Sequence, residues 1–350
     1  MENQEIFNQY LRLRPKYKQL SEKIALLLKE VLDIEKINIH FISNRAKEVE
    51  SFSRKIENPK YSDPLNQVTD LAGIRVIVYV EDDVKKIAKL IGDLFNIDSE
   101  NSLDKSKELG EDRVGYKSVH FVCLFKNDRT NLPEYIKFKN LKFEIQIRTI
   151  LQHSWAEIEH DKNYKFAGEL PSEIKRRFKL IAGSLEILDR EFNLLSNEID
   201  SYSEEVKSKT IRGDLEIDLN STSLNQFLNT RFEYEIKNKI LSPYFNGKEV
   251  QILTELKLFG VKNLDDLDKI IPLNFNTVIR QSKSSPLFKS FAGLLRTIMM
   301  ANDSAKYFTK VYDSSWSTFN SGILESLEAL GKHKQELFEQ ITLAKNRHTK

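Results

Sequence analysis

The chain has 350 residues, 40% of them hydrophobic and 30% charged, so it can bury a core and is not disordered by composition. Its 54 basic and 52 acidic side chains leave a net charge of +2, which excludes a bulk polyelectrolyte and confines any nucleic-acid contact to a local patch. One cysteine, Cys123, excludes an intrachain disulfide and a cysteine-based zinc site. With no leader pattern and no apolar run of membrane length, the expectation is a soluble cytoplasmic protein without a membrane partner.

In chain order, Ile6, Tyr10, Leu13, Tyr17, Leu20, Ile24, Leu27 and Val31 recur at steps of three and four, as in one amphipathic helix or two helices split near Pro15. INIHFI at 37–42 alternates as a strand, and a helical stretch follows to about Glu57, stopped by Pro59. GIRVIVYV at 73–80 is almost wholly apolar, as a strand covered on both faces would be, and DDVKKIAKLIGDLF reads as a helix with an acidic first turn. Residues 99–114 are polar and contain Gly110, hence a loop; YKSVHFVCLF and LKFEIQIR are two further strands. Beyond them the pattern is helical, with a polar connector KTIRGDLEIDLNSTS and helical segments near 223–241, 248–259, 263–271, 285–301 and 318–345. Gly260 suits the residue after a helix end. The fold class expected is α+β, a mixed sheet flanked by helices over 1–205, followed by an all-α domain over 206–350.

The stretch FEIQIRTILQHSWAEIEHDKNYK at 143–165 concentrates the chemistry. Phe143, Ile145 and Ile147 alternate with Glu144, Gln146 and Arg148, giving a strand with one polar face. In the helix that follows, His153, Glu157, His160 or Asp161, and Tyr164 share one face, while Leu151, Trp155 and Ile158 lie on the other. A polar strand face running into a polar helix face describes a lined cleft. Zinc does not fit, because the order is not H-E-x-x-H and no further ligand is signalled. The His160-Asp161 pair suggests a metal phosphohydrolase, but six histidines in all leave little to complete such a site.

Three upstream clusters complete the picture. In SNRAKEVESFSRKI, Arg45 and Lys47 precede a helix in which Ser51 and Lys55 share a face, an arrangement that suits a polyphosphate. In DLAGIR, Asp70 stands just before the buried strand, Gly73 permits close backbone approach, and Arg75 is a charge that needs a partner. In GYKSVH, Gly115 turns the loop and Tyr116 offers an aromatic plane. Taken singly, each has a bland reading: a solvated helix, a paired charge, a packing aromatic.

Taken in order, R-x-K-x-x-x-S-x-x-x-K, D-x-A-G-I-R, G-Y-K-S-x-H, and E-x-Q-I-R-T with H-x-W-A-x-x-E-H resemble the synthetase domain of the RelA/SpoT alarmone synthetases, over roughly residues 30–170. The resemblance implies a nucleotidyltransferase-like sheet and transfer of the β,γ-pyrophosphate of ATP to a ribose 3′-hydroxyl. It implies Asp70 and Glu144 as Mg²⁺ carboxylates, with Glu144 also the base for the hydroxyl. Arg45 and Arg75 would sandwich the adenine, and Lys47, Ser51 and Lys55 would meet the phosphates of ATP. Tyr116 would stack on the acceptor base; Lys117, His120, Gln146, Arg148 and His153 would line the acceptor side, with Lys162, Tyr164 and Lys165 near its phosphates.

This sequence departs from the family pattern in two places. The loop before Gly115 reads ELGEDRV, without the Pro-Lys-x-Asn approach of ordinary synthetases, and residues 206–350 add a helical domain. Two acceptors follow from this. GDP or GTP, giving ppGpp or pppGpp, is the family default and stands first. The alternative resembles the toxic branch, in which the tRNA 3′-CCA end or an adenosine nucleotide is modified and a fused or partner domain restrains the enzyme. There KRRFK at 175–179 would hold tRNA phosphates, and 206–350 would meet an antitoxin, a phage protein or a second copy. A catalytically dead binding module is the third reading, opposed by the intact Asp70 and Glu144.

Overall fold

A computed structural model describes residues 2–104, 118–165, 171–281, 290–312 and 321–348, with side chains over 3–102, 118–159, 171–281, 290–312 and 324–346. The chain divides into two compact units, Met1–Asn197 and Glu198–Lys350.

Unit 1 opens with α1 (Glu2–Ile34), one continuous helix that runs through Pro15 rather than splitting there. Pro15 lacks the N–H that would bond the carbonyl of Leu11, and both residues lie on the exposed side, where water replaces the lost partner. On the opposite side Tyr10, Tyr17, Leu20, Ile24, Leu28 and Leu32 are buried. Uniform four-residue steps after Leu20 bring Leu28 and Leu32 inward and leave Leu27 and Val31, expected in the stripe, at its margin.

The sheet contains β1 (Ile39–Ala46), β2 (Ala72–Val78), β3 (Phe95–Ile97), β4 (Leu103–Asp104), β5 (Val119–Phe125) and β6 (Phe143–Thr149). Its order is β1-β2-β6-β5-β3, with β4 pairing β5 off that path. Only β2 and β6 run parallel. Buried Ile74, Val76, Ile77 and Val78 make β2 the apolar centre of the sheet. Cys123, fully buried on β5, sits between Ile97 and Phe143 of the adjoining strands, and burial pushes its thiol up to about 12.

The helices α2 (Val49–Ile56), α3 (Glu81–Leu94), α4 (Ile150–Lys165) and α5 (Ser172–Arg212) surround the sheet. The inner face of α4 is centred between Gln152 and Trp155, which puts Ile158 at its edge and leaves that side chain exposed, contrary to its expected place beside Trp155. Within unit 1, α5 is anchored by polar groups: Thr149 donates to the buried Asp189 at 2.6 Å, and Asn193 and Asn197 both donate to Asp82 at 3.0 Å.

The domain boundary expected at 205/206 falls inside α5, which continues to Arg212 and closes on Gly213 at φ 77°. Unit 2 adds α6 (Ser221–Arg231), α7 (Glu249–Phe259), α8 (Leu264–Ile270), α9 (Phe275–Gln281), α10 (Phe291–Asn302), α11 (Ser321–Ala329) and α12 (Lys334–His348). Asn220 caps α6 in a reciprocal pair with Ser223, as the Ser/Thr/Asn cluster of the connector suggests. The long helix expected near 318–345 is broken by Gly331, at φ 90°, into α11 and α12. Arg296 grips Glu255 in a buried pair through bonds of 2.8 and 2.6 Å, and the exposed Arg280 meets the buried Glu235 at 2.8 Å. Among the described residues no helix is long and apolar enough to cross a membrane.

Candidate active site

Strand register assembles the cleft. The pairings put Arg45 beside Gly73 and Gly73 beside Glu144; one step along they put Ser43 beside Arg75, Arg75 beside Gln146, and Gln146 beside His120. Residues opposite one another in adjacent strands share a face, so these two rows lie on one side of the sheet. The polar face of β6 is therefore the floor of a cleft lined by Ser43, Asn44, Arg45, Asp70, Gly73, Ile74, Arg75 and Gln146. Arg45 belongs to the end of β1 rather than to the turn before α2.

Asp70 occupies a short 3₁₀ turn before β2, at φ −96° and ψ 27°, the sparsely allowed bridge between helix and strand. Its carboxylate meets Lys47 at 2.5 Å and Lys55 at 3.3 Å. Burial favours the protonated acid, but the two ammonium groups outweigh it and hold Asp70 below the usual carboxylate range. For Lys47 the balance goes the other way: its burial outweighs one carboxylate and lowers its affinity for the proton. The two directions agree once charges are counted, because Asp70 has two cations and Lys47 shares one anion. The Lys47 backbone is pinned as well: its N–H donates to the Leu71 carbonyl, and its own carbonyl accepts from Tyr10 and Arg14 of α1.

Glu144 is buried in the floor and accepts at one oxygen, Oε1, from Gln146 Nε2 at 2.7 Å and from His120 Nδ1 at 3.1 Å. Burial raises its pKa, and these two bonds more than reverse that, so it too is held below the ordinary range. Both acids are ionised at neutral pH. Arg75, the charge that needed a partner, pairs with Glu157 of α4 at 2.8 Å. Arg148 is half-buried near Arg75, and desolvation followed by that like charge lowers its pKa. His153 packs edge-on against Phe41, with Nδ1 3.9 Å from Glu157.

Several polar atoms in this region are buried with no protein hydrogen-bond partner among the described residues: Gln146 Oε1, Arg148 Nε and His153 Nδ1. Buried polar groups are normally satisfied, so such a cluster marks a surface shaped for a polar ligand. Of the residues expected at the site, Arg45, Lys47, Lys55, Asp70, Arg75, His120, Glu144, Gln146 and Arg148 fall on or beside this cleft. Ser51 instead accepts from Arg54 on its own helix at 3.3 Å. Tyr116 and Lys117 lie outside the described residues, as do the side chains of Lys162, Tyr164 and Lys165. Sequence reasoning overlooked Ser43, Asn44 and Ser118, which carry no charge and break no pattern.

Among the described residues no three His, Cys, Asp or Glu groups gather tightly enough to hold a metal alone. Asp70 and Glu144 offer hard carboxylate oxygens, and Mg²⁺ commonly takes one or two such groups plus substrate phosphates and water. The donor set fits that ion and not zinc.

A mixed sheet presenting two ionised acids amid at least five cations defines a protein that handles a polyanion. Residues 44–169 match the region found in RelA / SpoT proteins. GTP pyrophosphokinase YjbM of Bacillus subtilis (strain 168) is 28% identical over 202 residues, spanning 55% of this chain and 90% of its own. GTP pyrophosphokinase YwaC of the same organism is 29% identical over 143 residues, spanning 38% of this chain and 60% of its own. The small alarmone synthetase 1 from Bacillus subtilis, solved bound to its product pppGpp, is 28% identical and covers 54% of this chain and 97% of its own, at a TM-score of 0.45. That score is too low for overall shape to carry an argument. Residues 44–169 thus carry the region found in RelA / SpoT proteins, and over that region the chain is similar to GTP pyrophosphokinases.

Proposed function

We propose that this protein is a pyrophosphotransferase that moves the β,γ-pyrophosphate of ATP to the 3′-hydroxyl of GDP or GTP. The observation that supports it most is the pairing of Asp70 and Glu144, both ionised, with Lys47, Lys55, Arg45 and Arg75 around one cleft. The named activities of YjbM and YwaC support the guanosine acceptor.

In this reading Arg45 and Arg75 stack on the adenine, and Lys47 and Lys55 leave Asp70 for the phosphates when ATP enters. Asp70 and Glu144 would hold Mg²⁺, which supplies charge neutralisation on the triphosphate. Glu144 accepts the proton of the 3′-hydroxyl as its oxygen bonds to the β-phosphorus and the bond to the AMP oxygen breaks. His120, Gln146 and Arg148 face the acceptor, and the unpartnered atoms of Gln146 and Arg148 find their partners there.

The experiment is incubation with Mg²⁺ and ATP labelled at the γ-phosphate, offering GDP, GTP, ATP and deacylated tRNA separately, with Glu144→Gln as control. Label in a guanosine tetra- or pentaphosphate establishes the reading. Label on tRNA alone replaces it with the translation-blocking alternative.

A further inference from the structure

Ser118 has no part in that scheme, yet it is buried immediately before β5 and its hydroxyl lies 2.9 Å from His120 Nε2. The other ring nitrogen of His120 is 3.1 Å from Glu144 Oε1. Donor and acceptor roles along this chain follow from the partners. An ionised carboxylate can only accept, so Nδ1 carries the hydrogen. Nε2 is then the acceptor, and it is faced by the Ser118 hydroxyl and by Arg148 Nη2 at 3.5 Å, a guanidinium that can only donate. A hydrogen on Nε2 would point at that cation. Gln146 donates to the same carboxylate oxygen as His120, so both protein bonds fall on Oε1 and Glu144 keeps Oε2 for its ligand.

We infer that Ser118 is a positioning residue for the transfer reaction: by donating to Nε2 it holds the ring of His120 in place, and through that ring it fixes which oxygen of Glu144 meets the acceptor. The inference rests on the pyrophosphotransfer reading for the task of Glu144, but the hydrogen-bond chain itself stands on geometry alone. Side chains that orient a reacting carboxylate from behind typically matter by about 10–100-fold in activity.

The test has two arms. In the first, ring ¹⁵N signals of histidine-labelled full-length protein are recorded at pH 8, with His120→Gln to assign the signal. The expected spectrum shows Nδ1 protonated and Nε2 bare in the wild type, and the same tautomer with a shifted Nε2 signal in Ser118→Ala, where the bond from the hydroxyl is lost. In the second, kcat for pyrophosphate transfer falls about 10–100-fold in Ser118→Ala and in Ser118→Cys, a poor donor of nearly the same size, while the KM for ATP holds. Ser118→Thr, which restores the hydroxyl, recovers most of the loss. An Nε2–H ring in the wild type overturns the inference without any variant. A wild-type kcat in Ser118→Ala overturns it while leaving the pyrophosphotransfer reading intact. Absence of transfer to every acceptor by the wild type overturns that reading, and the positioning role with it, whatever the ring shows.

Discussion

Each unit buries an ion pair, and the two are built differently. In unit 2, Arg296 and Glu255 are 3% and 9% exposed and meet through two parallel bonds. In unit 1, Asp70 is held by two ammonium groups, and Arg45, Arg75 and Arg148 add cations that Glu144 and Glu157 do not balance. A bidentate pair of one buried cation and one buried anion serves the fold. An unbalanced cluster keeps its surplus charge because another anion completes it, and the unpartnered atoms of Gln146 and Arg148 lie in the same cluster.

The comparison can be broken in descending order of effect. Glu144→Gln is expected to lower kcat by about 10²–10⁴-fold, the usual worth of a positioned base, with an unchanged melting temperature; an equal loss of stability would make Glu144 a structural residue. Arg296→Met strands the Glu255 carboxylate and is expected to cost about 3–5 kcal/mol in urea unfolding, and a loss below about 1 kcal/mol would show that the pair does not serve the fold as described. Lys47→Met is the matched change in unit 1. Asp70 keeps Lys55 and some solvent contact, so the unfolding free energy should fall by less than in Arg296→Met while transfer is lost. Equal destabilisation by the two methionines would erase the distinction between the units.

The smallest effect is a pH dependence. Hydrogen bonds from Lys85, Asn197 and Asn193, in that order, hold Asp82 below its ordinary value of 3.8. A depressed carboxylate contributes stability that is complete above the unfolded pKa and is lost as pH falls through the folded one. Asp82→Asn should therefore lower the melting temperature slightly at pH 7 and flatten its fall below about pH 4. An unchanged acid limb would remove Asp82 from the anchoring of α5.

Much of the site was legible because charge in an apolar context is conspicuous. Arg75 inside GIRVIV demanded a partner, and the alternation of Glu144, Gln146 and Arg148 announced a polar face. Ser118 was hidden because a hydroxyl beside a strand is ordinary; only a distance to His120 gives it meaning. Glu157 could be placed on the correct face of α4, but its pairing with Arg75 depends on how that helix crosses the sheet, which no local period encodes. The continuity of α1 through Pro15 was open for the same reason. Propensity marks a break, and the buried side of the helix, from Tyr10 to Leu32, overrides it. In unit 2 the helices were visible, but the break at Gly331 depends on a left-handed residue that one glycine in a helical pattern announces only weakly.

The lone cysteine gives the molecule a built-in clock. Cys123 is sealed on β5 between β3 and β6 with its thiol pushed up to about 12, so a maleimide or disulfide reagent meets no thiolate while the sheet is closed. The rate at which one equivalent of reagent is consumed then reads how often β5 parts from its neighbours. The same silence leaves any cysteine engineered elsewhere on the folded surface as the single site a dye will find.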